Sequence, residues 1–173
     1  MPPDLLIRLK RHADGSASLT CTRRDGTATW QRQQGQLGRV FPPHDLTHYA
    51  VETTLGYRHA FYGLIADGWA IADFAKPWPR GPIPAEAIEV ELIVGFFDAE
   101  RINMAQWSEE EFNAHATQFV AARRIARPGA ERITPRALTA TELADVRDRR
   151  AELLARWAAL QPGETLELPF ERE

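Results

Sequence analysis

The sequence predicts an α+β fold, in which an N-terminal antiparallel β-meander is joined by a C-terminal strand and packs against a cluster of about five helices. Three observations predict it. Polar and apolar residues alternate in three short segments of the first third, which two Asp-Gly pairs separate. The middle of the chain spaces its apolar residues as helices do. Alternation returns only near the end. We therefore expect a single domain over 1–173, with the meander in 1–36, a helical part in 43–160 and the returning strand in 164–170.

The three N-terminal strands follow from alternation and from turn chemistry. Asp14-Gly15 and Asp25-Gly26 fit tight hairpin turns, because glycine readily adopts the positive φ that such turns require. One face of the resulting sheet is apolar and needs a cover, which only the intervening helices can provide. We predict that this face carries Leu5, Ile7, Leu9, Ala17, Leu19, Cys21, Ala28, Trp30, Leu166 and Leu168.

Prolines and glycines bound the first helices. The polar segment 31–38 is expected to be a loop, and Pro42-Pro43 to begin a helix over about 44–55 that ends at Gly56. A second helix is expected over about 58–67, before Gly68. The Pro-rich segment 76–84 is predicted to be a packed loop. Segment 85–97 alternates like a strand, but its start after Pro84 favours a buried helix.

Two capping boxes mark the later helices. Ser108 and Glu111 begin one that should run to about residue 126, end at Pro128-Gly129 and bury both Phe112 and Phe119. Thr139-Ala140-Thr141-Glu142 begins another, which should run to about residue 160. The last strand follows, with Pro169 placing it at an edge or at the end of a strand.

Composition excludes several classes of function. With 21 basic and 24 acidic residues the net charge is −3, so nothing indicates binding to nucleic acid or to an anionic membrane. No apolar run approaches the roughly 18 to 20 residues of a membrane span. The N-terminus lacks the basic start and apolar run of a signal peptide. Since Cys21 is the single cysteine, we predict a reducing, cytoplasmic location.

One segment has the pattern of a metal site. Successive helical residues turn by about 100°, so His44, His48 and Glu52 would lie within roughly 80° of arc. Two imidazoles at positions i and i+4 can bind one divalent metal ion, for which zinc is the first candidate. Glu52 could add an oxygen ligand. If His44 lies in the first helical turn, the helix dipole favours the neutral imidazole that a metal needs.

The pattern His44-Asp45-Leu46-Thr47-His48 resembles, over these five residues, the H-E-x-x-H helix of zinc hydrolases. In that helix the acidic residue after the first histidine activates a metal-bound water. The resemblance implies that Asp45 is a catalytic base or a group that orients a ligand. Asp is one methylene shorter than Glu, and so short a match does not extend to protease activity.

A longer string is also similar to a group of bacterial proteins of uncharacterised function. It runs from Phe41-Pro42-Pro43-His44-Asp45-Leu46-Thr47-His48-Tyr49-Ala50-Val51-Glu52 through Leu55-Gly56 to Gly63-Leu64-Ile65-Ala66-Asp67-Gly68-Trp69. The similarity covers about a fifth of the chain. It implies a small bacterial domain built around this helix and carries no activity with it.

Two functions remain open from the sequence. The first is a cytoplasmic metal-binding protein, extending to a metal-dependent hydrolase that acts on a small molecule or a protein. In the second, His48 and Glu52 form only an i, i+4 ion pair. The chain is then a non-catalytic α+β domain that binds a partner protein or a small ligand, with Trp78 as a candidate surface feature. His115 and His59 are expected to be a core or boundary residue and a surface residue, respectively.

Overall fold

Four strands form one antiparallel sheet in the computed structural model, which describes residues 1–122, 128, 130 and 133–172. The strands are β1 (Leu5–Arg11), β2 (Ala17–Arg23), β3 (Ala28–Gln33) and β4 (Thr165–Phe170), in the order β3-β2-β1-β4. The described residues include five α-helices, which are α1 (Leu37–Leu55), α2 (Phe61–Ala66), α3 (Ala85–Asn103), α4 (Glu109–Ala122) and α5 (Ala140–Ala159). A 3₁₀-helix, Ile71–Phe74, lies between α2 and α3. The predicted α+β class is confirmed.

The returning C-terminal strand is also confirmed. β4 pairs antiparallel with β1, placing Leu168 opposite Ile7 and Leu166 opposite Leu9. On the other side of β1, Leu19 lies opposite Leu9. Residues directly opposite in an antiparallel pair point to the same face, so these side chains form one buried layer. These five residues are fully or almost fully buried against the helices.

The prediction that Ala28 and Trp30 of β3 lie on the apolar face of the sheet was wrong. Thr29 pairs with Cys21, and Gln31 pairs with Leu19, so Thr29, Gln31 and Gln33 share the core side. Ala28 and Trp30 point to the opposite side, where Trp30 is 68% exposed. The register set by the Asp25-Gly26 turn decides the face, because a shift of one residue exchanges the two sides of a strand.

The start of α1 was also predicted wrongly. The helix begins at Leu37, within the segment expected to be a loop, and contains Pro42 and Pro43. A helix can begin this soon after β3 because Gly38 lies against the strand: an added Cβ would stand 2.8 Å from the carbonyl oxygen of Gln33. His44 therefore lies beyond the first turn, where the N-terminal dipole no longer acts. The expected dipole effect on its imidazole is lost.

The remaining helices largely match the predictions. α3 is a helix, longer than 85–97, and α2 is shorter than 58–67. Trp78 in the Pro-rich segment is partly buried against the core, as a packed loop requires. Phe119 was wrongly predicted to be buried, since it is 50% exposed at the rim of a cavity between α3 and α4. The expected end of α4 near residue 126 lies outside the described residues.

The helices position a candidate site by packing around α1. This helix contacts α5, α3 and α2 as well as strands β2 and β3. Its residues Leu46, Ala50 and Val51 are fully buried. None of the described helices combines the length and apolar character needed to cross a bilayer. Since α1 is surrounded, polar side chains on it must find partners inside the protein.

Candidate metal site

Two histidines of α1 face a carboxylate of α3. The rings of His44 and His48 lie one helical turn apart, with centroids 4.8 Å from each other. Glu91 of α3 is the third group: its Oε2 lies 3.1 Å from Nε2 of His48, and its Oε1 lies 4.0 Å from Nε2 of His44. Each residue offers one ligand atom such that all three lie within 4.8 Å of one another. The structure thus brings the two predicted histidines together with an acid from another helix.

The Nδ1 atom of each histidine, on the side of the ring away from Glu91, contacts a further carboxylate. His44 Nδ1 donates to Asp98 Oδ2 at 2.7 Å, and His48 Nδ1 donates to Glu52 Oε1 at 3.3 Å. A ring that donates through Nδ1 to a carboxylate leaves Nε2 for a metal, and such contacts orient metal-binding histidines. Both Nε2 atoms face Glu91, an arrangement that is compatible with a metal ion.

Glu52 lies behind His48 and not in the group of three. Besides the His48 contact, its Oε2 accepts from the backbone N–H groups of Tyr62 and Gly63 at 3.0 and 3.4 Å. These donors at the start of α2 hold a carboxylate that is 1% exposed. Glu52 was expected as a third ligand; the structure places it against Nδ1 of His48, and Glu91 completes the group of three.

Asp45 is buried beside the histidines. Its Oδ2 accepts from Gln33 Nε2 at 2.7 Å, and its backbone carbonyl accepts from the hydroxyl of Tyr62 at 3.0 Å. Burial raises the pKa of Asp45 to about 6, against the hydrogen bond from Gln33 and the nearby histidines. A carboxyl group with this pKa can hold or release a proton near neutral pH. Asp45 lines the same cavity as His44 and His48, and its role as a base stays a prediction.

His48 lies at the centre of the charged groups. It is 3% exposed, and its ring packs 5.2 Å from the ring of Phe61. Burial lowers its pKa, but hydrogen bonds to Glu52 and Glu91 outweigh burial and raise the pKa of His48 to about 10. Without a metal, an imidazolium between two carboxylates satisfies the charges of this buried group. The same atoms can therefore form an ion-pair cluster or hold a cation.

The distances are compatible with a transition metal, around which the side chains would have to move closer together. For metal–ligand bonds of about 2.0 to 2.1 Å in tetrahedral geometry, ligand atoms stand about 3.3 Å apart. The contact of 3.1 Å between His48 and Glu91 already matches this separation. The contact of 4.0 Å between His44 and Glu91 involves the other carboxylate oxygen. Since the three ligand atoms are within 4.8 Å of one another, separations in the group would have to shorten by up to about 1.5 Å. Glu91 can make this adjustment, because about a third of its side chain is exposed.

A cavity of about 220 Å³ opens beside this group. Apart from the site residues His44, Asp45, His48 and Glu91, its walls are mostly apolar. They include Phe41, Phe61, Ile71, Phe74 and Ile83. The group therefore has open space next to it, as a catalytic metal needs for water or substrate and a closed structural site does not.

Sequence reasoning missed Glu91 and Asp98. Both lie on α3, seven residues apart, and so nearly on one helix face. A carboxylate within the apolar run of segment 85–97 was the available signal. The segment was correctly predicted to be a helix, but nothing in its local pattern indicates that the face carrying these two carboxylates packs against α1. His115 stacks on Trp107 with centroids 4.2 Å apart, and His59 is exposed near Asp67; neither belongs to the group of three.

The chain was compared with protein-family models, curated proteins and solved structures, and none of these comparisons gives a match.

Proposed function

We propose that this protein binds a divalent transition metal ion, zinc being the first candidate, through Nε2 of His44, Nε2 of His48 and the carboxylate of Glu91. We further propose that it is a metal-dependent hydrolase. The observation that carries the proposal is the pair of carboxylates behind the rings. Asp98 and Glu52 each accept from a Nδ1 atom, which directs both Nε2 atoms toward Glu91.

Two imidazoles and one carboxylate are an established ligand set of catalytic zinc, and they leave a position for water or substrate. Glu91 completes this ligand set from a second helix, α3. The site therefore depends on tertiary packing and not on the five-residue pattern alone. A bound ion would supply a Lewis acid and lower the pKa of a water molecule. Asp45, held by Gln33 within the same cavity, would accept the proton.

Elemental analysis of protein prepared without a histidine tag tests the metal. We expect close to one equivalent of metal in the wild type and its loss in His48→Ala and Glu91→Gln. The second variant keeps the size of the side chain at a partly exposed position, so it separates loss of metal from loss of fold. His59→Ala is the matched control, because this exposed histidine lies outside the group of three.

A folded wild type that binds no added zinc, or Glu91→Gln protein that retains it, would overturn the metal site.

The proposed hydrolase activity is tested separately. Metal-dependent cleavage of ester and phosphodiester chromogens should fall at least about 10²-fold in Asp45→Asn, the range for loss of a general base. Metal content should stay unchanged. Equal activity in the variant would refute the role of Asp45.

A binding domain built on an ion-pair cluster is the second candidate. It is favoured by the bridging position of His48 between Glu52 and Glu91, which satisfies both ring nitrogens without a metal. In that case Glu91→Gln should lower stability while the metal content of the wild type is already near zero.

A further inference from the structure

A second cavity begins at the candidate metal ligand Glu91. It lies between α3 and α4 and has a volume of about 510 Å³, within the range of about 300 to 1,000 Å³ typical of small-molecule sites. Glu91 lines this cavity as well as the smaller one beside the histidines. One carboxylate therefore stands between the candidate metal site and a larger, mostly apolar space.

An exposed glycine, Gly95, lines this second cavity. It lies within α3, one turn after Glu91. Glycine inside a helix is destabilising relative to alanine, so a packing or functional reason is expected for it. Close packing is not that reason, because an added Cβ would meet no heavy atom within 4 Å among the described residues outside its own helix neighbourhood. The missing side chain leaves room.

Aromatic rings form much of the wall. Phe96 and Phe119 meet edge to face with centroids 5.5 Å apart, and Trp107 stacks with His115 at 4.2 Å. Leu92 and Ala99 complete the apolar surface. Such rings offer both faces and edges to a further aromatic group, and aromatic pairs prefer centroid separations of about 4.5 to 7 Å. The wall is therefore suited to packing against an aromatic ring of a ligand.

We propose that the cavity between α3 and α4 binds the aromatic part of the substrate, whose oxygen-bearing polar group lies toward Glu91. The assignment to a substrate rests on the proposed function, whereas the preference for an aromatic body rests on the cavity alone. The substrate class is then an aryl-substituted ester or amide in which a short linker separates the ring from the group that is cleaved.

Three probes test this with the zinc-loaded protein. Acetohydroxamic acid offers only a metal-binding head, 4-phenylbutyrohydroxamic acid adds the aromatic body, and 4-phenylbutan-1-ol carries the body without the metal-binding head. We expect the phenyl compound to bind the wild type at least about tenfold more tightly than acetohydroxamic acid, since it buries a ring. In Gly95→Leu, whose side chain would occupy part of the cavity, this ratio should fall severalfold.

Two controls accompany Gly95→Leu. Its metal content and its affinity for acetohydroxamic acid should match the wild type, which shows that the metal site is intact. Ala114→Leu adds the same side chain at an exposed position of α4 outside the cavity lining, and it should retain the tenfold ratio. A wild-type ratio near one, or a ratio that Gly95→Leu leaves unchanged, would overturn the proposal.

Binding of 4-phenylbutan-1-ol distinguishes failure of the aromatic cavity from failure of the proposed metal-dependent function. If the protein binds no metal, both hydroxamates lose their head-group contact and the assignment to a substrate falls. Binding of 4-phenylbutan-1-ol to the wild type and its loss in Gly95→Leu would still support the aromatic cavity. No binding of the alcohol to either protein would overturn the cavity as well.

Discussion

Two carboxylates of α3 have different roles because of what stands beside them. Glu91 reaches toward the Nε2 atoms of both histidines, whereas Asp98, two turns later, contacts the opposite nitrogen of His44. Asp98 also lies 3.4 Å from the hydroxyl of Thr47 and 3.7 Å from Nε of Arg101. These neighbours fix its position, so in the proposed site Asp98 would act through His44 and not on a substrate.

Asp98→Ala should weaken metal binding without unfolding the protein. Removing the group that orients a metal-binding histidine costs about 10- to 100-fold in affinity. Competition with a zinc-binding dye measures this loss, and circular dichroism checks the fold. Asp148→Ala, at an exposed position of α5, is the control and should bind zinc like the wild type. Unchanged affinity in Asp98→Ala would refute its positioning role.

The histidines and the contact of His48 with Glu52 were predictable from the sequence, but the partners on α3, Glu91 and Asp98, were not. The spacing of His44 and His48 suffices to place both rings on one side of a helix. Which acid they meet depends on how α1 packs against α3, and no local pattern records this contact. Glu52 satisfied the spacing rule equally well, yet backbone donors from α2 draw it behind His48.

At the scale of elements, a buried ion pair joins α3 to α5. Arg147 of α5 makes two hydrogen bonds to the carboxylate of Glu100 on α3, and Glu100 also accepts from the backbone N–H of Trp107 at 3.0 Å. Arg147 donates in turn to the carbonyl oxygen of Trp107 at 2.7 Å. The pair thus fixes α3, α5 and the segment that carries one wall of the aromatic cavity.

Glu100→Gln should destabilise the protein strongly. The substitution leaves Arg147 charged and nearly buried without its counter-ion, and breaking a buried pair in this way costs about 3 to 5 kcal/mol. Urea denaturation measures the change in the free energy of unfolding. Glu152→Gln is the control, because it breaks an exposed pair with Arg149 and should cost at most about 1 kcal/mol. Similar costs for the two variants would contradict this account.

The start of α5 gives a prediction about pH. Hydrogen bonds from Arg136, followed by the backbone N–H of Thr139, lower the pKa of Glu142 from 4.5 to about 2. A lowered folded-state pKa stabilises the fold fully above the unfolded value, and this contribution is lost as pH falls from about 4.5 through about 2. Glu142→Gln should therefore destabilise at pH 6 and approach the wild type near pH 2.

Urea unfolding of both proteins at several pH values from 6 to 2 tests this. Other carboxyl groups titrate in the same range, but they affect both proteins alike, so the difference between the two isolates Glu142. A difference that stays constant over the whole range would show that the charge of Glu142 does not stabilise the helix start.

For the whole molecule, the class and order of elements followed from the sequence because strong local signals mark them. Two Asp-Gly turns, a capping box at Thr139 and the alternation of 165–170 each specify structure within a few residues. The face of β3 and the start of α1 were wrong where local rules met tertiary constraints. The register of β2 and β3 fixed the face of β3, and the close approach of Gly38 to Gln33 allowed the early start of α1.

The two sides of the sheet should differ sharply in their contribution to stability. Leu168 of β4 is 2% exposed and lies in the layer covered by the helices, whereas Trp30 of β3 faces away from it. Leu168→Ala should cost about 2 to 5 kcal/mol, because it removes buried methyl groups and leaves a cavity. Trp30→Ala should change stability by no more than about 0.5 kcal/mol, as at other exposed sites. Chemical denaturation measures both values. A large loss in Trp30→Ala would place that residue in the core, restore the face predicted from alternation and contradict the register of β2 and β3.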